Sequence, residues 1–346
     1  MKYGAIPSNW LERLALWTGQ VPIPLLDCLF SLMKARALMA GVKLGIFEAL
    51  REGPRAADDV ALELKLDGAC VDQLLRGLAL MDYVAQKGER YELTALAKRT
   101  LVSGAAQELT GFVMWNFTQW EMIESLESLL QTGQGVDFHA TMREPEQWGH
   151  YQQAMLELAR LSAPLVARLV PVPTGARRLL DLGGGHGLFG AAICERHRPM
   201  TSTVLDLPAA LPHGRRLAAA EGISDIVEHR EADILTDDLG SHYDVALLSN
   251  ILHHFRPSEI ERILQRTGAA LRSGATVAIW ESEAPKKGSK VHFGDGVSLF
   301  FRLTSTAGAY HGDQYTAWLA AAGFSRIRAR RPLSSPGDVL VTATWP

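Results

Sequence analysis

Residues 179–187 read LLDLGGGHG: a short apolar run closes on Asp181 and opens into Gly183, Gly184, Gly185 and, one residue on, Gly187. Glycines at the end of a strand permit positive φ and let a ligand press against the backbone. Three in a row carry a conformational cost that a turn without a ligand does not require. The stretch therefore predicts a strand that ends at a ligand-binding turn and continues into a helix. A Gly-x-Gly turn is shared by several nucleotide folds, so the flanking sequence must say what binds.

Downstream, from Arg177 to the C-terminus, short apolar runs alternate with helical segments: RRLLDL (177–182), TSTVLDL (201–207), DIVEHREAD (225–233), YDVALLSN (243–250), ATVAIWES (275–282), SRIRARR (325–331) and DVLVTATW (338–345). Alternating units of this length imply a parallel sheet covered by helices on both faces. The last two runs are close enough in sequence for an antiparallel hairpin at one end of the sheet. Asp206 closes the second run about 20 residues beyond the glycines, where an acid can accept from ribose hydroxyls. Asp233 closes the third, placed to accept from an adenine amino group. Ligands of open α/β sheets bind at these carboxyl ends, so three acids after three successive strands indicate one nucleoside site.

Upstream the pattern is helical. Residues 35–50 (ARALMAGVKLGIFEAL) are apolar nearly all round, which predicts a helix buried on more than one face. Two further helical stretches and a short hairpin turning at Gly88, between Tyr83-Val84 and Tyr91-Leu93, complete a winged-helix order. Between residues 57 and 94 the acids Asp58, Asp59, Glu63, Asp67, Asp72, Asp82, Glu89 and Glu92 outnumber the bases Lys65, Arg76, Lys87 and Arg90, which disfavours a DNA-binding role. A winged-helix regulator is thus the weaker reading, and the wing is read as scaffold. The apolar surface between Val21 and Leu50 exceeds what its own chain can cover and predicts a homodimer. Three regions are expected: a winged-helix-like dimerisation domain at 1–105, a helical linker contributing to a substrate pocket at 106–170, and the cofactor-binding catalytic domain at 171–346.

The bulk properties agree. At 346 residues, with 47% hydrophobic and 21% charged residues, the chain is globular and larger than one core usually grows. A net charge of -3 offers no field for a nucleic acid backbone. The apolar stretch 21–33 is broken by Pro22, Pro24 and Asp27 and is too short to cross a membrane. Cys28, Cys70 and Cys194 are scattered, without a metal or disulfide pattern, which points to a reducing, cytoplasmic setting.

The ordered set DLGGGHG, VLDLP, EADI, SNILHHF and a glutamate after the fifth strand resembles the small-molecule O-methyltransferase family typified by plant phenolic and hydroxyindole O-methyltransferases, over nearly the whole chain. The resemblance implies a doubly wound, mostly parallel seven-stranded Rossmann-like sheet behind an N-terminal winged-helix dimerisation domain. It also implies S-adenosyl-L-methionine (SAM) held by Asp181, Gly183 and Gly185, by Asp206 and Leu207 at the ribose, by Asp233 and Ile234 at the adenine, and by Ser249. The family's general-base histidine falls on His253 and its orienting glutamate on Glu281, 28 positions later.

Chemistry makes sense of that pair independently. Attack on a sulfonium methyl by a phenol, with a pKa of about 10, requires loss of the phenolic proton. An imidazole can take that proton while a carboxylate on its other nitrogen fixes the tautomer. On this reasoning Glu281→Gln should cost less activity than His253→Ala. No metal is expected, since no acidic ligand motif is visible. Candidate acceptor walls are Met114, Trp115, Phe117 and Trp120, then Met155, His254, Phe300 and Phe301. Two departures stand out: His254-Phe255 replaces the family's Asp-Trp, and its second glutamate is missing from STAGAYHGDQY (305–315). Tyr310, His311 or Asp313 are the candidates to replace it. The alternative is a family member that binds SAM and performs hydroxylation, decarboxylation or ring closure.

Overall fold

The computed structural model describes residues 4–291 and 293–346, which fall into two compact units, Met1–Phe117 and Thr118–Pro346. The boundary lies inside the stretch read as linker.

The first unit contains helices α1 (Trp10–Trp17), α2 (Ile23–Lys43), α3 (Ile46–Ala49), α4 (Ala57–Leu64), α5 (Gly68–Leu80), α6 (Ala95–Thr100) and the start of α7 (Thr110–Ile123), with strands β1 (Arg55–Ala56), β2 (Val84–Lys87) and β3 (Arg90–Leu93). Asp67 caps α5 by accepting from the Cys70 amide, and α5 buries Val71, Leu75 and Leu78 along one face. The β2–β3 hairpin turns at Gly88 (φ 62), as the sequence indicates, and β1 adds antiparallel to β3. The long helix expected over residues 35–50 is instead two. Gly45 adopts φ 79, which ends α2 and re-aims the chain so that Ile46, Phe47 and Leu50 enter the core. Only Met39 and Gly41 of α2 are buried, whereas Leu25, Leu29, Phe30, Leu32 and Met33 are exposed.

The second unit contains the rest of α7, helices α8 (Leu126–Thr132), α9 (Phe138–Thr141), α10 (Pro145–Leu169), α11 (Leu188–Arg196), α12 (Leu211–Ala220), α13 (Pro257–Ala270), α14 (Phe293–Leu303) and α15 (Gly312–Ala321), and seven strands: β4 (Arg178–Leu182), β5 (Thr201–Asp206), β6 (Val227–Glu231), β7 (Tyr243–Ser249), β8 (Leu271–Ser282), β9 (Ser325–Arg330) and β10 (Asp338–Thr344). They form one sheet in the order β6-β5-β4-β7-β8-β10-β9. The first five are parallel, and β10 runs antiparallel to both β8 and β9, giving the C-terminal hairpin.

The period-two alternation of the strands divides the core. Leu180, Leu182, Ala246, Leu248, Val277 and Ile279 pack on one face, and Leu179, Val245, Leu247, Ala278 and Trp280 on the other. The exposed edge strand β9 carries Arg326, Arg328 and Arg330, charges that discourage pairing with another sheet. The chain leaves β4 toward β5 and leaves β7 toward β8, so the crevice between β4 and β7 is the topological switch point. Among the described residues no helix is long and apolar enough to cross a membrane.

Candidate active site

The β4–α11 turn is built so that side chains are excluded from it. Gly183, Gly185 and Gly187 take φ of 65, 55 and 77. A Cβ on Gly183 would lie 2.6 Å from Ile251, one on Gly185 2.7 Å from Gln152 Oε1, and one on Gly187 2.7 Å from Val227. Asp206, at the end of β5, fixes this turn: its Oδ2 accepts from the Gly185 amide at 2.8 Å and its Oδ1 from the Leu207 amide at 2.7 Å. Burial pushes the Asp206 carboxyl up to about 6. Two histidines brace the same turn. His229 on β6 bonds the Gly185 carbonyl at 3.0 Å, and His186 Nδ1 accepts from the Leu188 amide while the ring also bonds the Met155 backbone.

The second half of the site follows β7. Asn250 (φ 50) is held by its amide on the Trp280 carbonyl, and the chain then makes a 3₁₀ turn over Leu252–His254. Glu281, at the end of β8, is fully buried and serves three groups. Its Oε1 accepts from the Ile251 and Leu252 amides at 2.8 and 2.6 Å, and its Oε2 lies 2.8 Å from His253 Nδ1. That leaves Nε2 as the ring nitrogen available to an acceptor. His253 is also held through its backbone, because its carbonyl accepts from the Gly308 amide and from Ser305 Oγ. Phe301 on α14 lies against the His253 ring with centroids 4.1 Å apart.

An aromatic wall continues from there. His254 lies 4.1 Å from His253 between ring centroids, His139 of α9 lies 4.6 Å from His254, and Phe138, Trp148 and Tyr151 surround them. Burial pushes His139 down to about 4 and His254 well below the usual imidazole range, so both are neutral at pH 7. A separate open cleft of about 710 Å³, lined by Lys286, Asp295, Arg302 and Tyr310, includes neither His253 nor the glycine turn.

The residues named from sequence fall as follows. His253, Glu281, Gly183, Gly185, Asp206 and Leu207 share this carboxyl edge, as does Ser249 at the end of β7. Asp181 is completely buried behind the turn, against Gly184 and Gly190, with burial raising its carboxyl to about 7. Asp233 follows β6 and accepts from the Leu235 amide, while the Ile234 side chain packs into the sheet core. Phe301 rather than Phe300 meets the His253 ring, and Phe300 packs on Phe301. Met114 and Trp115 lie on α7 in the first unit; Trp120, Met155 and His254 are in the second. None of the expected replacements for the missing glutamate reaches His253: Tyr310 donates to the Phe255 carbonyl, and His311 and Asp313 pair with Glu283 and Lys286 respectively. Among the described residues Glu281 is the carboxylate paired with the His253 ring. His139, Tyr151 and Gln152 went unread in the sequence, since no local motif marks them.

Residues 122–325 match the O-methyltransferase domain and residues 26–103 the O-methyltransferase dimerisation domain. The chain belongs to the O-methyltransferase family. The 3-hydroxy-5-methyl-1-naphthoate 3-O-methyltransferase of Streptomyces sahachiroi is 32% identical over 91% of this chain and 93% of its own length. The N,N-dimethyltransferase OxyT of Streptomyces rimosus is 27% identical over 90% and 93%. In fold, the chain is similar to human N-acetylserotonin methyltransferase in complex with SAM, with a TM-score of 0.84 at 18% identity, covering 98% of this chain and 99% of that one. This family of methyltransferases is SAM-dependent, and the site suits that cofactor. The turn leaves no room for a Cβ at Gly183, Gly185 or Gly187, the Asp206 carboxylate is fixed against its Gly185 amide, and Gln152 Oε1 lies beside it without a hydrogen-bond partner among the described residues.

Proposed function

We propose that this O-methyltransferase methylates a phenolic hydroxyl of a small, largely apolar, secondary-metabolite-like aromatic acceptor, with His253 as general base and Glu281 as its orienter. The observation that carries this reading is the 2.8 Å contact between His253 Nδ1 and Glu281 Oε2, both groups buried. The residues that would hold SAM are the glycine turn, Asp206 and Leu207 at the ribose, Asp233 and Ile234 at the adenine, and Ser249. When bound, SAM supplies an electrophilic methyl group on a sulfonium.

Glu281, anchored by two backbone amides, keeps the proton of His253 on Nδ1 and leaves Nε2 as the acceptor of the phenolic proton. Phe301 and the neutral rings of His254 and His139 offer flat, uncharged surfaces suited to an aromatic acceptor and exclude water from the base. The naphthoate-methylating relative makes fused-ring phenols the first acceptors to try. The dimerisation-domain match and the exposed apolar face of α2 support a homodimer, and the exposed free thiols of Cys28 and Cys70 suit the cytosol.

The test is incubation with SAM and a panel of naphthols and other phenols. One S-adenosylhomocysteine per O-methylated product is expected. Product formed without S-adenosylhomocysteine would refute methyl transfer and favour the hydroxylation, decarboxylation or ring-closure alternative.

A further inference from the structure

Gln152 sits on α10, 3% exposed, and its Oε1 is buried without a hydrogen-bond partner among the described residues. An amide oxygen removed from water and left unpaired costs about 1–3 kcal/mol, so its presence in a folded site calls for a donor. The oxygen lies where a Cβ on Gly185 would come within 2.7 Å of it, against the middle of the cofactor turn.

Other acceptors nearby are engaged or enclosed. Both oxygens of Asp206 take backbone amides of the turn, and its remaining acceptor capacity is assigned to the ribose. Asp181 is sealed behind the turn by Gly184, Gly190 and Ser202. Glu157, further along α10, accepts from Gln153. The donor that the cofactor brings to this place follows from its covalent structure. Its adenine and ribose belong to the side of Asp206 and Asp233, at β5 and β6, whereas its reacting methyl must face His253 beyond β7. The amino-acid tail hangs from the same sulfur as that methyl, which brings the tail to the turn of β4, between the two, and the tail ends in an ammonium.

We propose that Gln152 accepts a hydrogen bond from the α-ammonium of the cofactor's amino-acid tail and so positions the sulfonium in front of His253. This assignment rests on the SAM dependence of the family. Gln152 is a positioning residue: it touches the tail and leaves the proton transfer to His253.

Calorimetry with two probes separates this role from a structural one. S-adenosylhomocysteine carries the tail, and 5′-methylthioadenosine keeps the adenine, ribose and sulfur without it. Gln152→Leu should weaken S-adenosylhomocysteine by about ten- to a hundredfold, the size of a lost hydrogen bond to a charged group, and leave methylthioadenosine within about twofold. Gln152→Glu, which keeps the acceptor and adds charge, should hold S-adenosylhomocysteine at least as tightly as the native chain and serves also if the leucine variant fails to fold. Equal losses for both probes, unchanged S-adenosylhomocysteine binding in Gln152→Leu, or a loss in Gln152→Glu would each overturn the proposal. Failure of the unsubstituted protein to bind S-adenosylhomocysteine would instead overturn the cofactor assignment beneath it.

Discussion

Replacing Glu281 by glutamine changes one atom and sets two requirements against each other. The native Oε1 accepts from two buried amides, Ile251 and Leu252, and Oε2 faces His253 Nδ1. A carboxamide has only one acceptor oxygen. If that oxygen faces the histidine, the NH₂ group meets two N–H donors, leaving both unpaired at about 1–3 kcal/mol each. The amide therefore settles with its oxygen on the backbone and its NH₂ toward His253. Nδ1 must then accept, the imidazole proton moves to Nε2, and the base is lost to the wrong tautomer. The matching acid-to-amide change in a serine protease triad lowers kcat about 10⁴-fold, so a loss of about 10³- to 10⁴-fold, or 4–5.5 kcal/mol, is expected here. The penalty equals or exceeds that of His253→Ala, reversing the order expected from sequence, where Glu281 counts only as an orienter. The assay is initial-rate S-adenosylhomocysteine formation with the best phenol, alongside calorimetric SAM affinity, which should stay within about threefold. The deficit should shrink above pH 9, where the phenol ionises unaided. A variant retaining a tenth of native kcat at pH 7.5 would refute the tautomer argument.

His253→Ala should lower kcat by about 10²- to 10⁴-fold with cofactor affinity unchanged; native turnover in that variant would remove the base assignment. Cofactor binding should depend on pH through Asp206. Ribose hydroxyls donate to its ionised form, so its pKa falls on binding, protons are released, and affinity declines as pH drops below about 6, by up to about tenfold per unit. Calorimetry from pH 5 to 8 measures the slope, which should flatten in Asp206→Asn. Light scattering should give twice the 37.9 kDa chain mass, and Leu29→Asp with Phe30→Asp should shift it toward the single chain; a native monomer at micromolar concentration would sink the dimer.

What could be read in advance follows the range over which each feature is written. Parallel strands buried on both faces leave uninterrupted apolar runs, so residues 178–182, 243–249 and 276–282 announce themselves, and the glycines between Asp181 and Leu188 mark where the first of them ends. The break at Gly45 was hidden because the apolar pattern continues across it and only the backbone conformation changes. His139 comes to the site by packing against His254, more than 100 residues away in the chain, and Tyr151 and Gln152 come through contacts with His139 and Gly185 that no local pattern announces. Nothing local distinguishes them from ordinary helix residues. The triple duty of Glu281 was likewise unreadable, since the amides of Ile251 and Leu252 have no signature in sequence.

Ser305 Oγ and the Gly308 amide both bind the carbonyl of His253, and the segment they belong to continues directly from the helix whose Phe301 lies against its ring. If His253 takes the acceptor's proton as proposed, selectivity and rate are thereby fastened to one stretch of chain. On the proposed reading, a lineage exploring new acceptors can vary the ring at Phe300, which contacts Phe301 and is not part of the carbonyl clasp. Drift at positions 305–308 loosens the clasp on His253 itself. The evolvable part of this wall thus ends near Thr304, and diversification of the acceptor is channelled into the helix before it.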